Sequence, residues 1–233
     1  MHNSKYCHNT PLLVHEGHAS ARKFFTPVNA GSYDSVARLA TFGQDSAWKR
    51  EIIKTVGSRN SVLELACGTG VLSFMLAGAG KSVVGIDLTF EYLHASRRSL
   101  QAAIAQGTAE VLPYRSESFD AVASSYLAKY VHIGNVVDEC WRVLRPGGVA
   151  VFHDFTYPSG IMRGLWNAHF AALRLAGRFV TSWRAVFDQL DDVIKNSDWA
   201  GQTTNALHNR RFRNVDCKYY TAGTAAIVSA EKP

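Results

Sequence analysis

Long hydrophobic runs are missing from this sequence. None approaches the roughly 18 to 20 apolar residues that a membrane-spanning helix needs, and the N-terminus shows no signal-peptide core, so the chain is expected to be soluble and cytoplasmic. Cysteine is sparse too: Cys7, Cys67, Cys140 and Cys217 form no close pair. That scatter argues against a disulfide scaffold and a zinc site, and predicts reduced thiols. Charged residues make up only 19% against 47% hydrophobic, which excludes a self-solvating disordered chain or a coiled coil. Acids are outnumbered, 19 Asp+Glu to 25 Lys+Arg, for a net charge of +6. Nucleic acid, anionic lipid headgroups or an anionic small molecule would each suit that balance. The basic residues are dispersed, however, and the short clusters Arg97-Arg98 and Arg210-Arg211-Arg213 sit in no nucleic-acid-reading motif. They read as solvated faces, and nucleic acid is disfavoured as a partner.

The 233 residues suffice for one domain with an elaboration, or two small ones. Residues 1 to about 30 are polar and carry little periodicity before Phe24-Phe25, as in a flexible start leading into a cover. Their histidines, His2, His8, His15 and His18, have no carboxylate or cysteine partner at ligand spacing and read as exposed polar residues, not metal ligands. From Ser32 to Val56 the apolar spacing predicts two helices broken around Phe42-Gly43-Gln44. Val62 to Ala66 is a short apolar run, as expected of a strand covered on both faces. A helix over Val71 to Ala79, a strand over Ser82 to Ile86 and a helix from Glu91 to about Ala105 follow. Phe119 to Ser124 then reads as a strand, Val136 to Leu144 as a helix stopped by Pro146-Gly147-Gly148, and Val149 to Phe155 as a strand. Such alternation implies βαβ units and a doubly wound, mostly parallel sheet. Ile161 to Ile194 reads as a helical insertion that either roofs a ligand cleft or completes a core. Val215 to Tyr220 and Thr224 to Ala230, flanking Thr221-Ala222-Gly223, predict an antiparallel hairpin at the sheet edge. The expected division is a cover over 1–56 and a sheet domain over 57–233, with the cap at about 159–196.

The chemistry concentrates in Glu64-Leu65-Ala66-Cys67-Gly68-Thr69-Gly70, between a strand and a helix. A glycine-rich turn there lets a ligand approach the backbone and aims free amides at it. The dinucleotide fingerprint is incomplete, because Ser73 stands at the third glycine. Asp87 closes the second strand, where an acid accepts two hydrogen bonds from a ribose diol or, alternatively, caps the next helix.

Three further strings join this loop and acid: Ala109-Glu110-Val111-Leu112-Pro113-Tyr114, Ser118-Phe119-Asp120, and Arg142-Val143-Leu144-Arg145-Pro146-Gly147-Gly148. Together they resemble the class I S-adenosylmethionine-dependent methyltransferases. Within that superfamily, Tyr33-Asp34-Ser35-Val36-Ala37, Phe42-Gly43-Gln44-Asp45, Trp48-Lys49-Arg50 and Ser125-Tyr126-Leu127-Ala128-Lys129-Tyr130-Val131 resemble the ubiquinone/menaquinone biosynthesis C-methyltransferases. The resemblance implies a seven-stranded Rossmann-like methyltransferase fold with S-adenosylmethionine as cofactor. Gly68, Thr69 and Gly70 would wrap its methionine and ribose, Ala66 would join the cofactor-binding residues, and Glu64 would order the loop or reach the amino group through water. Asp87 would hold the ribose and Leu88 would lie on the adenine. Thr108 and Ala109 would meet the adenine edge, with Thr108 replacing a frequent aspartate, and Ser125 would lie at the methionine end. Tyr33 either closes over the cofactor or packs in the cover.

The implied reaction is methylation of an aromatic apolar acceptor, with carbon methylation of a demethylated quinol as the leading case. Other small-molecule O-, N- or C-methylation and non-catalytic cofactor binding stay open, while Ser73 disfavours a nicotinamide oxidoreductase. Losing a phenolic proton activates a ring carbon, so a general base or a water chain is expected to assist. Tyr126, His132, His153 and Asp154 are the candidates. The family's Arg-Asn pair is replaced by Lys129-Tyr130. The apolar insertion and basic balance suit a prenylated acceptor drawn from a membrane by peripheral contact. Monomer and homodimer are both compatible with the sequence.

Overall fold

The computed structural model describes residues 14–96 and 103–233. Cys7 and Arg97-Arg98 lie outside the described residues, as do the side chains of His2, His8 and His15. Four helices come first: α1 (Val14–Phe24), α2 (Pro27–Ala30), α3 (Tyr33–Ala40) and α4 (Gln44–Val56). Next are β1 (Ser61–Leu65), α5 (Val71–Gly78), β2 (Ser82–Asp87), α6 (Phe90–Ser96), β3 (Ala103–Gln106), β4 (Phe119–Ser125), α7 (Ile133–Val143) and β5 (Leu144–Phe155). The chain ends with α8 (Gly160–Gly177), α9 (Arg184–Lys195), α10 (Trp199–Asn209), β6 (Arg213–Tyr220) and β7 (Ala225–Glu231).

The seven strands form one sheet in the order β3-β2-β1-β4-β5-β7-β6. The first five are parallel, and β7 runs antiparallel between β5 and β6. The expected doubly wound sheet, the insertion after β5 and the terminal hairpin are all present. Because side chains alternate across a strand, β1 sends Leu63 and Leu65 into a core shared with α7 and α10, and Val62 into a second core shared with α4 and α5. Both faces of β1, β4 and β5 are therefore covered, which is why these segments read as nearly continuous apolar runs.

Three expectations fail in instructive ways. The helix expected from Glu91 to about Ala105 is described as far as Ser96, part of the expected span lies outside the described residues, and Ala103–Gln106 instead pairs with Val84–Asp87 as the edge strand β3. The alanines there favour helix locally, but the open edge of β2 supplies ladder partners that override propensity. Residues 14–30 are less irregular than expected, since α1 (Val14–Phe24) and α2 (Pro27–Ala30) take up most of them. In α1, Gly17 packs so tightly on the Tyr130 carbonyl that no Cβ fits between them. Finally, α10 went unforeseen; Asp198 caps it by accepting from Gly201 N at 3.3 Å, and Trp199 is fully buried beneath the sheet.

Gly85 in β2 lies against the loop after β1. A Cβ there would come within 2.8 Å of Cys67 Sγ. Gly85→Ala is expected to destabilise the protein by about 1–3 kcal/mol through overpacking, measured by urea unfolding. Adding Cys67→Ala should recover part of that loss; no recovery would show that the strain lies elsewhere.

Candidate functional site

The parallel strands β1 and β4 diverge in their connections, so their C-terminal ends open a crevice at the topological switch point. The loop leaving β1 turns sharply: Ala66, Gly68 and Gly70 have φ of 54°, 53° and 85°. Gly68 N donates to Asp87 Oδ2 at 2.8 Å, and Thr89 N donates to Oδ1 at 2.7 Å. Asp87 thus holds both the glycine loop and the turn into α6. Burial raises its pKa, and the two amides oppose that rise. Beneath the loop, Ser73 Oγ donates to Glu64 Oε2. The serine in place of a third glycine therefore orders the acid of the loop motif. Burial pushes the Glu64 carboxyl up to about 8 despite that bond.

Above the loop is a cavity of about 250 Å³, walled by the ends of β1, β2 and β4 and roofed by α1, α3 and α4. Tyr33, Glu64, Ala66, Gly68, Thr69, Asp87, Leu88, Thr108, Ala109, Ser125 and Tyr126 all line it. Gly70 is off the wall and forms the left-handed N-cap of α5. The roof is tied to the floor by Thr69 Oγ1, which donates to Asp34 Oδ1 at 2.6 Å, and by His18 Nε2, 3.0 Å from Glu110 Oε1. His18 is consequently part of the site, where the sequence suggested an exposed polar residue. At the other end, Tyr126 OH donates to Asp45 Oδ1 at 2.8 Å, and the same carboxylate pairs with Lys49. Neither Asp45 nor Lys49 was singled out from the sequence, although both lie in strings that carry the family resemblance; only their placement opposite Tyr126 reveals them.

The charge balance inside the cavity opposes that of the whole chain. Asp34, Asp45, Glu64, Asp87 and Glu110 line it against Arg38 and Lys49. A ligand bearing an ammonium and a sulfonium fits this lining, whereas a dinucleotide pyrophosphate would meet repulsion. The open side of Gly68, where a Cβ would find no atom closer than 3.8 Å, leaves space for it to approach the backbone.

A family model described as "Methyltransferase domain" matches residues 63–152. A demethylmenaquinone methyltransferase of Beutenbergia cavernae is 33% identical over 218 residues, covering 87% of this chain and 90% of its own. The chain belongs to this methyltransferase family. A second relative, a demethylmenaquinone methyltransferase of Mycobacterium sp. (strain JLS), is 37% identical over 212 residues, covering 88% of this chain and 90% of its own. Two solved structures share the fold. One is an S-adenosylmethionine-dependent methyltransferase of Thermotoga maritima (TM-score 0.63, 15% identity, 89% of this chain and 97% of that one). The other is the geranyl diphosphate C-methyltransferase of Streptomyces coelicolor A3(2) (TM-score 0.60, 14% identity, 81% and 79%). The protein is thus an S-adenosylmethionine-dependent methyltransferase.

In this methyltransferase three of the four expected acid-base residues are absent from the cavity wall. His132 is exposed and caps α7, its Nδ1 3.4 Å from Asn135 N. His153 is fully buried behind Ser125, with Nδ1 2.9 Å from Ser125 Oγ and Nε2 without a hydrogen-bond partner among the described residues. Burial, reinforced by the charges of Lys49 and Lys129, drives its pKa well down and keeps it neutral. Asp154 is fully buried and ion-paired with Lys129, which lies over the Tyr130 ring at 4.9 Å. Desolvation pushes Asp154 up and Lys129 down, while their mutual attraction opposes both shifts. Lys129, at the place of the family's arginine, therefore anchors the wall that presents Tyr126 and Tyr130, and its own charge stays behind that wall. Lys129→Met should strand a buried carboxylate and destabilise the protein by about 3–5 kcal/mol. Denaturant unfolding measures this, and adding Asp154→Leu should restore most of the stability.

Proposed function

We propose that this enzyme methylates a ring carbon of a demethylated, prenylated quinol. The reading is carried by the Tyr126–Asp45 pair at 2.8 Å, facing into a cavity whose wall also carries the rings of Phe25, Tyr33, Tyr92 and Tyr130. Apolar rings suit a planar aromatic acceptor, and the carboxylate with its phenol suits a hydroxyl that must lose a proton. The names of the two curated relatives support the same acceptor class.

Gly68 and Thr69 would hold the methionine and ribose of the cofactor, Asp87 the ribose hydroxyls, and Leu88, Thr108 and Ala109 the adenine. Ser125 would sit at the methionine end. Bound there, S-adenosylmethionine supplies a methyl on a cationic sulfur that departs as a neutral thioether. The chain's own task is positioning and proton removal. The Tyr126 hydroxyl would relay the acceptor's phenolic proton to Asp45, leaving the electron pair to raise density at the ring carbon. Lys49 provides the counter-charge for Asp45, and Tyr33 would close the roof over the reacting groups. After carbon-carbon bond formation the ring proton would leave to solvent, while Asp45 returns the phenolic proton through Tyr126 to the ring oxygen, restoring aromaticity.

A second reading, methylation of another small aromatic, draws on the withdrawn Lys129 and on Tyr130 replacing the family's asparagine. The two readings separate when the purified enzyme is given labelled cofactor and a short-chain demethylated naphthoquinol. Carbon-attached label supports the first; binding of the cofactor without transfer to this acceptor overturns it. Asp45→Asn is expected to lower kcat by at least about 100-fold while leaving cofactor affinity unchanged.

Glu64 gives a pH signature. Its folded pKa, about 8, exceeds its ordinary 4.5. The folded protein therefore holds a proton that the unfolded chain releases, and the associated stability is full below about pH 4.5 and lost as pH rises through 8. A bound ammonium should reverse the preference and expel that proton. Calorimetric titration near neutral pH should show a cofactor-binding enthalpy that depends on buffer ionisation, and Glu64→Gln should abolish the dependence.

A further inference from the structure

Helix α8 is apolar on two opposite sides. Trp166, Phe170 and Gly177 face inward and are buried. On the other side Ile161, Leu165, Ala168, Ala172, Leu175 and Phe179 recur every three or four residues, the spacing of a single helical stripe continued one turn past the helix end. All six are exposed, Ile161 at 90% and Phe179 at 82%. An ordinary surface helix would carry charge there. This one holds no Asp or Glu between Gly160 and Gly177. Arg163 and Arg174 lie toward the inward side, against Tyr157 and Asp191, while the exposed Arg178 borders the stripe at its C-terminal end. The apolar surface extends onto the roof of the cavity. Phe42, 76% exposed, lies with its ring 4.8 Å from that of His169 on α8, and His169 Nε2 is 2.8 Å from the Ala40 carbonyl. Leu39, on the neighbouring turn of α3, is 75% exposed, and the preceding Ala37 and Arg38 line the cavity.

We infer that α8 and the α3–α4 turn form a docking face for an anionic lipid bilayer. A second apolar stripe free of carboxylates and bordered by an exposed arginine, Arg178, suits a helix that lies in the membrane interface. Among the described residues no helix is long and apolar enough to cross a membrane, so α8 would lie along the surface. The net charge of +6 complements acidic headgroups. Docking through this face would set the cavity roof against the bilayer, where an apolar acceptor resides.

Co-sedimentation with vesicles of phosphatidylcholine, alone or mixed with phosphatidylglycerol, tests this whichever acceptor the enzyme takes. The wild-type protein should bind the anionic vesicles more tightly. Ile161→Ser with Phe179→Ser should weaken partitioning by about tenfold or more, and Arg178→Gln by about fivefold on anionic vesicles alone. All three side chains are exposed and outside the cavity, so thermal melting and cofactor affinity should be unchanged. Wild-type protein that stays in solution with both vesicle types overturns the inference, as does a double variant that binds like wild type. Light scattering that shows a wild-type dimer dissolved by the same double variant would instead assign the face to a second copy of the chain.

Discussion

The Gly68 amide and the Asp87 carboxylate meet at 2.8 Å across the ends of two adjacent parallel strands. This bond fixes where the β1 loop turns and where α6 begins, and so positions the open side of Gly68. The rest of the site refers to that point. Ser73 and Glu64 brace the loop from below, Asp34 ties the roof to it through Thr69, and Tyr92 of α6 reaches across to Asn29 in α2 at 2.7 Å. Moving the loop would move floor and roof together. A carboxylate at the end of β2 is thus structural before any ligand arrives: it holds the loop and the turn before α6, and the proposed ribose contact would be added to that role.

Charge is divided between surface and cavity. The chain is basic as a whole, yet its cavity is lined by five acidic side chains, of which Glu64 holds its proton near neutral pH, against two cations apart from His18. A cationic cofactor is drawn to the interior, while the exterior remains suited to an acidic surface. The buried ion pairs differ in purpose. Asp45 and Lys49 line the cavity, where their charges can serve chemistry. Lys129 and Asp154 lie behind it and bear on wall stability alone in this structure.

The parallel strands were legible because burial on both faces requires nearly unbroken apolar runs, as in Val62 to Ala66. β3 was not legible: an edge strand of four residues, half exposed and rich in alanine, carries no period that separates it from helix. α10 was lost for a related reason, because its buried residues Trp199, Ala200, Thr203 and Leu207 are mixed with small and polar ones. At the site, the glycine loop and Asp87 could be read because backbone chemistry restricts which residues serve there. His132, His153 and Asp154 could not be sorted by sequence, since a strand end does not disclose which side chains reach the crevice and which stay beneath it. Asp45 and His18 depend on the roof folding back over the sheet, a tertiary fact with no local signature.

The same limit explains the ambiguity of the insertion. Apolar residues throughout α8 are compatible with a helix buried on all sides and with one buried on a single side. Packing decides between them: α9 and the aromatic cluster around Trp166 and Phe170 cover one face, and no described residue covers the other. Leaving Ile161 and Phe179 in water opposes the hydrophobic effect without any gain to the fold. Their exposure is therefore best understood through what the protein meets. A roof that reaches an apolar phase on its outer side and a cationic cofactor on its inner side would join an acceptor and a methyl donor that do not share a solvent.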